Sequence, residues 1–335
     1  MTSGSALFDE VDCVVIGGGP AGLSATLNLA RALSTVALVD TGRPRNAATL
    51  RSHGFLSRDG IPPHELRKLG VAELREYAHI RIHERTTVTR VDREDGGSHP
   101  FLVDLSSRVR GDSRRVAART VLLATGLRET LPEVDGLRSF YGMSVFSCVA
   151  CDGWELRDRP LALIGETGDL YARALHLARW TSELTVFTNG VARLTHTEEA
   201  RLDARGISVV RTPIAELVGH RGQLSAVRLA DGTSVPVEGG FVRPVWDAPI
   251  DFLETPPSIG ADGFVIADAE GRTDIPGLYA AGDLVAPGPQ QLIIAAGAGA
   301  RTAAAVVADL VAGWSGFDSE VAAAVGVAAA LEISS

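Results

Sequence analysis

Cys148 and Cys151 stand two residues apart, with Asp152 and Gly153 directly behind them. Two intervening residues allow the sulfurs to close into a disulfide or to separate as a dithiol, the two states a redox-active thiol pair must visit. The same spacing also serves metal ligation, but a metal site of this kind usually draws on a second ligand pair, and the sequence offers none. The remaining cysteine, Cys13, lies inside an apolar run, where a small buried thiol is inert. One close pair and one buried thiol do not make a structural disulfide framework. The residues therefore point to redox chemistry without a metal, in a reducing cytoplasm.

A thiol pair needs somewhere to send or collect electrons, and several segments have the pattern of nucleotide sites. Val11 to Ile16 is a short apolar run ending in Gly17-Gly18-Gly19-Pro20-Ala21-Gly22, after which leucines follow at helical spacing. This is strand, glycine turn and helix. Val36 to Val39 reads as the next parallel strand, and Asp40 closes it at the roughly twenty-residue distance where an acid takes an adenosine ribose hydroxyl. Residues 80–93, 101–105 and 114–118 alternate like an antiparallel meander, with a polar turn from Asp95 to Ser98. Val121 to Leu123 runs into the turn Ala124-Thr125-Gly126, and Leu161 to Gly165 opens a second strand-turn-helix unit. A helix over 170–180, a strand over 184–187 and short strands near 207–211 and 224–229 follow. Gly277 to Asp283 repeats the strand-to-turn signature, and Gln290 to Ala312 reads as a long helix of small residues.

At 335 residues the chain exceeds the size at which one core usually stops growing. The pattern predicts an α/β fold of two Rossmann-like, three-layer domains. The first takes residues 9–118 and 246–316, from both ends of the chain; the second takes 119–245 and carries the cysteine pair. The alanine-rich tail, 317–335, reads as a terminal helix or a dimer contact. A net charge of -9 argues against a nucleic-acid partner, which needs a basic surface. Residues 1–10 show no secretory pattern. The apolar stretch 292–314 is broken by Arg301 and Asp309, so a buried helix is expected there and no membrane span.

Taken together, the turns at Gly17 to Gly22 and Ala124 to Gly126, the Cys148 to Gly153 segment, the Ala280-Ala281-Gly282-Asp283 motif and the following helix resemble the low-molecular-weight thioredoxin reductases. The resemblance spans about residues 11–312. Within that superfamily, Gly42-Arg43-Pro44-Arg45-Asn46 followed by Ser52-His53-Gly54-Phe55-Leu56 looks like the branch of dithiol oxidases that close disulfides in natural products such as holomycin and gliotoxin. The resemblance implies FAD as cofactor, bound by Gly17, Gly19, Pro20, Ala21, Gly22, Asp40, Arg45, Asn46, Ala124, Thr125, Gly126, Gly282, Asp283, Gln290, Gln291 and Leu292. It also implies a homodimer. It makes Cys151 the flavin-facing thiol, Cys148 the thiol that exchanges with substrate, and Asp152 the acid-base residue, a role that needs a pKa raised by burial. The fungal oxidases look to have a histidine at that last position, so Asp152 leans toward the reductase pattern.

The second nucleotide motif departs from the family. Its turn reads Gly165-Glu166-Thr167-Gly168-Asp169-Leu170, which puts Thr167 and Leu170 at glycine positions and two carboxylates where a diphosphate would lie. The next strand ends in Thr188-Asn189-Gly190, with no cation for a 2′-phosphate. The expected function is therefore FAD-dependent oxidation of a small-molecule dithiol, with O2 as acceptor and H2O2 as product. A reductase driven by NADPH or ferredoxin, and a non-catalytic flavin redox sensor, are the alternatives. His53 and Phe55 border the flavin or substrate, or are simply solvated; Phe140, Tyr141 and Phe146 line an aromatic pocket or pack the core; Trp154 reads as packing.

Overall fold

The structure is a computed structural model that describes residues 9–313 except 95, 110, 286 and 287. The tail 317–335, the residues 314–316 assigned to the first domain, and Asp95 of the expected turn lie outside the described residues. The described residues form two compact units, one within residues 9–44, 64–127 and 247–313, the other of 45–63 and 128–246.

The first unit opens with β1 (Asp9–Ile16), α1 (Pro20–Arg31) and β2 (Val36–Asp40), and continues through α2 (Pro63–Leu74), β3 (Ile80–Glu84), β4 (Thr86–Arg93), β5 (Phe101–Ser107) and β6 (Ser113–Leu123). The strands lie in the order β3-β2-β1-β6-β5-β4, and a seventh, Leu278–Ala280, also pairs with β6. All five residues of β2 are buried, the continuous apolar run of a parallel strand covered on both faces. In β1, Val14 and Ile16 join the core on one face of the sheet while Cys13 and Val15 join the core on the other. Pro20 starts α1, where its fixed φ suits the first helical turn.

Two sequence expectations are corrected here. The boundary expected at 118/119 lies instead after Leu127, because 113–123 is one strand that pairs with β1 from Val116 through Leu123. The polar Arg119-Thr120 step looks like a break, yet Thr120 donates to the Asp12 carbonyl at 2.8 Å and Arg119 reaches the Asp12 carboxylate at 3.3 Å. The meander also starts later than expected. β3 pairs in parallel with β2, from Val36 against Ile80 to Asp40 against Glu84, and Arg85 at φ +52° turns the chain before β4 begins the antiparallel run.

The second unit comprises β7 (Arg128–Thr130), α3 (Leu137–Phe140), β8 (Val145–Phe146), α4 (Val149–Asp152), β9 (Leu161–Gly165), α5 (Leu170–Leu177), β10 (Leu184–Phe187), α6 (His196–Asp203), β11 (Ser208–Val210), β12 (Ile214–His220), β13 (Gln223–Leu229), β14 (Ser234–Pro236), β15 (Gly240–Arg243) and β16 (Val245–Asp247). A parallel sheet runs β11-β10-β9-β15-β8, and β12, β13 and β14 form an antiparallel sheet. The fully buried LALIG run of β9 lies inside the parallel sheet.

The chain returns to the first unit through β17 (Leu278–Ala280) and α7 (Leu292–Ala312). Among the described residues α7 alone is long and apolar enough to cross a membrane by length and composition. It buries Ala295, Gly299, Thr302, Ala303, Ala305 and Val306. Its Gly299 lies so close to α1 that a Cβ would stand 2.0 Å from the Ala21 carbonyl oxygen, a contact that requires glycine.

Candidate functional site

In the first unit the expected cofactor residues gather at the carboxyl ends of the parallel strands, where open α/β sheets bind nucleotides. β1, β2, β6 and β17 end at Ile16, Asp40, Leu123 and Ala280, and the three turns that follow β1, β6 and β17 are tied down by backbone bonds. Gly17 N donates to Val39 O at 2.8 Å, Ala124 N to Ile16 O at 2.8 Å, and Ala281 N to Leu123 O at 2.9 Å. The glycines have separate jobs. Gly17, at φ +114°, faces the Ala124 carbonyl; a Cβ on Gly22 would stand 1.8 Å from the Gly17 oxygen. Gly19, by contrast, has no described residue within 4 Å of its Cβ position, so its backbone presents an open face at the start of α1. Gly282 packs on Ala21, which joins the late Gly-Asp motif to the first turn.

Asp40 is buried, accepts from Gly42 N at 3.1 Å and pairs with Arg67. A carboxylate has lone pairs beyond these two contacts and retains capacity for a hydroxyl. Thr125 Oγ1 is buried and has no hydrogen-bond partner among the described residues. The open glycine face, the acid at the strand end and this orphaned hydroxyl form a donor and acceptor set that fits a flavin dinucleotide. Asp283 lies in the turn after β17, and Gln290, Gln291 and Leu292 lead into α7. Arg45 and Asn46 belong to the second unit. They start a short 3-10 turn, in which Arg45 binds Glu129 at 2.7 Å.

In the second unit Cys148 and Cys151 form a disulfide with Cα atoms 5.3 Å apart, and both residues are half-buried. Cys148 precedes the single turn of α4, and the amides of Cys151 and Asp152 both donate to its carbonyl at 3.2 Å. Gly153 follows because a Cβ there would meet Val149 O at 2.6 Å and the Trp180 ring at 3.0 Å. Burial pushes the Asp152 carboxyl up to about 7, and the Glu155 charge adds to the effect. Cys13, buried in the other unit, has its thiol pushed up to about 12 by burial and is no nucleophile.

Beside the cysteine pair lies a cluster that local sequence does not reveal. Glu129 accepts from Arg45 at 2.7 Å, Tyr141 at 2.6 Å and Trp246 at 3.2 Å, and Tyr141 also reaches Ser147, the residue before Cys148, at 3.1 Å. Burial, then the Glu129 charge, raises the Tyr141 hydroxyl above its ordinary range. Tyr141 is thus held through its hydroxyl while its ring packs against the core that contains Phe140. Trp154 is 65% exposed, against the packing role expected for it, and carries the Arg157 guanidinium 3.9 Å over its ring.

The turn after β9 is closed on itself. Asp169 accepts from Thr167 at 2.5 Å, Arg173 at 2.7 Å and Arg243 at 2.9 Å. Burial would push its carboxyl up, but these bonds prevail and hold it at about 2. Arg243 in turn stacks on Trp246 at 4.1 Å. Glu166 accepts from Asn189 at 2.7 Å, and Asn189, at φ +51°, takes the Ile214 amide at 2.8 Å with its other amide atom. Leu170, at a glycine position of the motif, is fully buried.

Residues 11–299 match the pyridine nucleotide-disulphide oxidoreductase family, and the chain belongs to it. Within that family of flavoproteins it is a thioredoxin reductase-like oxidoreductase. It is similar to thioredoxin reductase tcpT of Claviceps purpurea, 30% identical over 240 residues, 67% of this chain and 70% of the relative. A probable thioredoxin reductase of Arthroderma benhamiae is 32% identical over 180 residues, 53% of this chain, but the match spans only 44% of that relative's length. The crystal structure of HlmI superposes with a TM-score of 0.82 at 36% identity, covering 96% of this chain and 97% of that one.

Proposed function

We propose that the protein is an FAD-dependent dithiol oxidase that closes a disulfide within a small-molecule dithiol and passes the electrons to O2, releasing H2O2. The residues that would hold FAD are the Gly17 to Gly22 turn, Asp40, Ala124 to Gly126, Gly282, Asp283 and Gln290 to Leu292. Bound there, FAD supplies two-electron acceptance from a dithiol and reoxidation by dioxygen.

The protein's own residues carry the thiol exchange. A substrate thiolate attacks Cys148 Sγ, forming a mixed disulfide and expelling the Cys151 thiolate; the second substrate thiolate then attacks the substrate sulfur of that bond and expels Cys148. The substrate loses two electrons and two protons, and Cys148 and Cys151 gain the electrons. With its carboxyl raised to about 7, Asp152 is poised to hold or release one of those protons near neutrality.

The observation that carries this direction is the closed turn after β9. Asp169 occupies Arg173 and Arg243, Glu166 is held by Asn189, and Leu170 fills the space a third glycine would leave open. A diphosphate there would meet the Glu166 carboxylate, and could pair with Arg173 or Arg243 only by breaking their bonds to Asp169. The similarity to HlmI over nearly the whole chain supports the same reading. Similarity to proteins named thioredoxin reductase favours the second reading, NADPH-driven disulfide reduction.

Mixing the purified protein with a reduced dithiolopyrrolone under air, and separately with micromolar NADPH without oxygen, separates the two. The expected result is sustained peroxide release with the dithiol, its loss in Cys148→Ser, and no flavin bleaching by NADPH. Rapid bleaching by NADPH would reverse the direction of electron flow, and an active Cys148→Ser would remove the cysteine pair from the mechanism.

A further inference from the structure

The loop ahead of α2 contributes a histidine to the surroundings of the cysteine pair. Ser52 N donates to Ile61 O at 2.8 Å and Gly60 N to Ser52 O at 2.9 Å, which closes the loop, while Gly54 N donates to Asp59 Oδ1 at 2.8 Å. His53 projects from this frame with its side chain only 16% exposed. Its Nδ1 lies 3.6 Å from Asp59 Oδ1 and its Nε2 lies 3.6 Å from Glu155 Oε1. Each ring nitrogen thus faces a carboxylate, an arrangement complementary to an imidazolium. Glu155 stands three residues beyond Asp152.

We infer that His53 is a positioning residue of the cysteine site: by pairing with Glu155 it sets how readily the buried Asp152 carboxyl gives up its proton. Glu155 is the charged group whose field acts on Asp152, and no hydrogen bond from a described residue opposes that field. The imidazole edge turned to Glu155 at 3.6 Å holds and partly screens its carboxylate, which weakens the field that opposes ionisation of Asp152; without it Glu155 acts at full strength and Asp152 keeps its proton to higher pH. The other titratable and charged groups around the turn are Asp59, Arg157 over Trp154, and His176, whose ring is 5.3 Å from the Trp180 ring that packs on Gly153. The proton count on the site is then coupled to a residue 99 positions away in sequence that need touch neither sulfur.

The inference rests on the proposed oxidase only for the use made of the proton, so it is tested on the resting disulfide form without turnover. The probe is the infrared band of the protonated carboxyl, followed against pH and identified by its loss in Asp152→Asn. Glu155→Gln is expected to move the midpoint down by roughly one pH unit or less, because burial is the larger cause of the shift. His53→Gln is expected to move it up by a few tenths of a unit, of the order a screened charge produces. The double variant is expected to titrate like Glu155→Gln alone, since His53 acts through Glu155. An unmoved midpoint in His53→Gln overturns the inference, as does a double variant displaced from Glu155→Gln. Neither result bears on whether the protein oxidises dithiols, which the peroxide assay decides.

Discussion

At the scale of single residues, Asp152 carries both a functional opportunity and a stability cost. Burial, with the Glu155 charge adding to it, pushes its carboxyl up to about 7 from the ordinary 3.8. Between those values the folded protein binds a proton that the unfolded chain has already released, so stability falls as pH rises through the window from about 4 to about 7. Asp152→Asn keeps the shape and abolishes the charge. It is therefore expected to raise the stability at pH 8 by up to about 4 kcal/mol while changing it little near pH 4. Urea unfolding at the two pH values checks this, and an equal effect at both would mean that desolvation of the carboxylate is not the cause. The same variant is expected to slow dithiol turnover by about 10²-fold or more through loss of the proton acceptor, so activity and stability trade against each other at one atom. Asp169 shows the opposite sign. Its carboxyl is held at about 2 by Thr167, Arg173 and Arg243, so the stability it contributes is present at neutral pH and lost as pH falls from about 4 toward 2.

At the scale of elements, two glycines of one turn separate folding from cofactor capture. Gly22 has no room for a methyl group because the Gly17 carbonyl lies against it, so Gly22→Ala must shift α1 away from β1 and is expected to cost about 1 to 3 kcal/mol. Gly19→Ala meets no atom of the described residues; the apoprotein is expected to keep its unfolding midpoint while losing flavin, as the added methyl occupies the open backbone face. Thermal unfolding of the apoproteins together with bound-flavin absorbance distinguishes the pair, and a destabilised Gly19→Ala would show that the face is not free. These turns were legible in the sequence because their determinants are local: glycines, a strand-ending acid and a Pro at the first helical position. The pairing of β3 with β2 was not, since an alternating pattern reports that a strand is half-buried but not which neighbour it joins, and only the backbone of Arg85 marks the break. Nor was the true end of the first unit's strand, because Arg119 and Thr120 look like a boundary until Asp12, more than a hundred residues earlier, satisfies both. Glu129, Arg243 and Trp246 were missed for the same reason: a carboxylate's partners at sequence separations of 84, 74 and 117 leave no trace in local spacing. Glu155, three residues past Asp152, did leave one.

At the scale of the whole molecule, the proposed reading makes the protein a store of electrons as well as a catalyst. The cysteine pair accepts two electrons and a flavin accepts two more, and each dithiol delivers two on becoming a disulfide. Without an acceptor the protein therefore fills and stops. In an oxygen-free titration with a small dithiol, about two equivalents per protomer are expected to be consumed before reaction ceases. Cys148→Ser, with no disulfide to open, is expected to consume close to none. Admitting air should restart consumption with one H2O2 formed for each substrate disulfide, which a closed oxygen electrode and a peroxide assay read together. Since the chain has a net charge of -9 and the proposed substrate is small, the air-driven rate with an uncharged dithiol is expected to stay flat as salt rises, unlike a reductase that recruits a charged protein donor by electrostatic steering. A steep salt dependence, or consumption that requires a pyridine nucleotide, would place the electron source in a macromolecular or nucleotide donor and remove the small dithiol from that role.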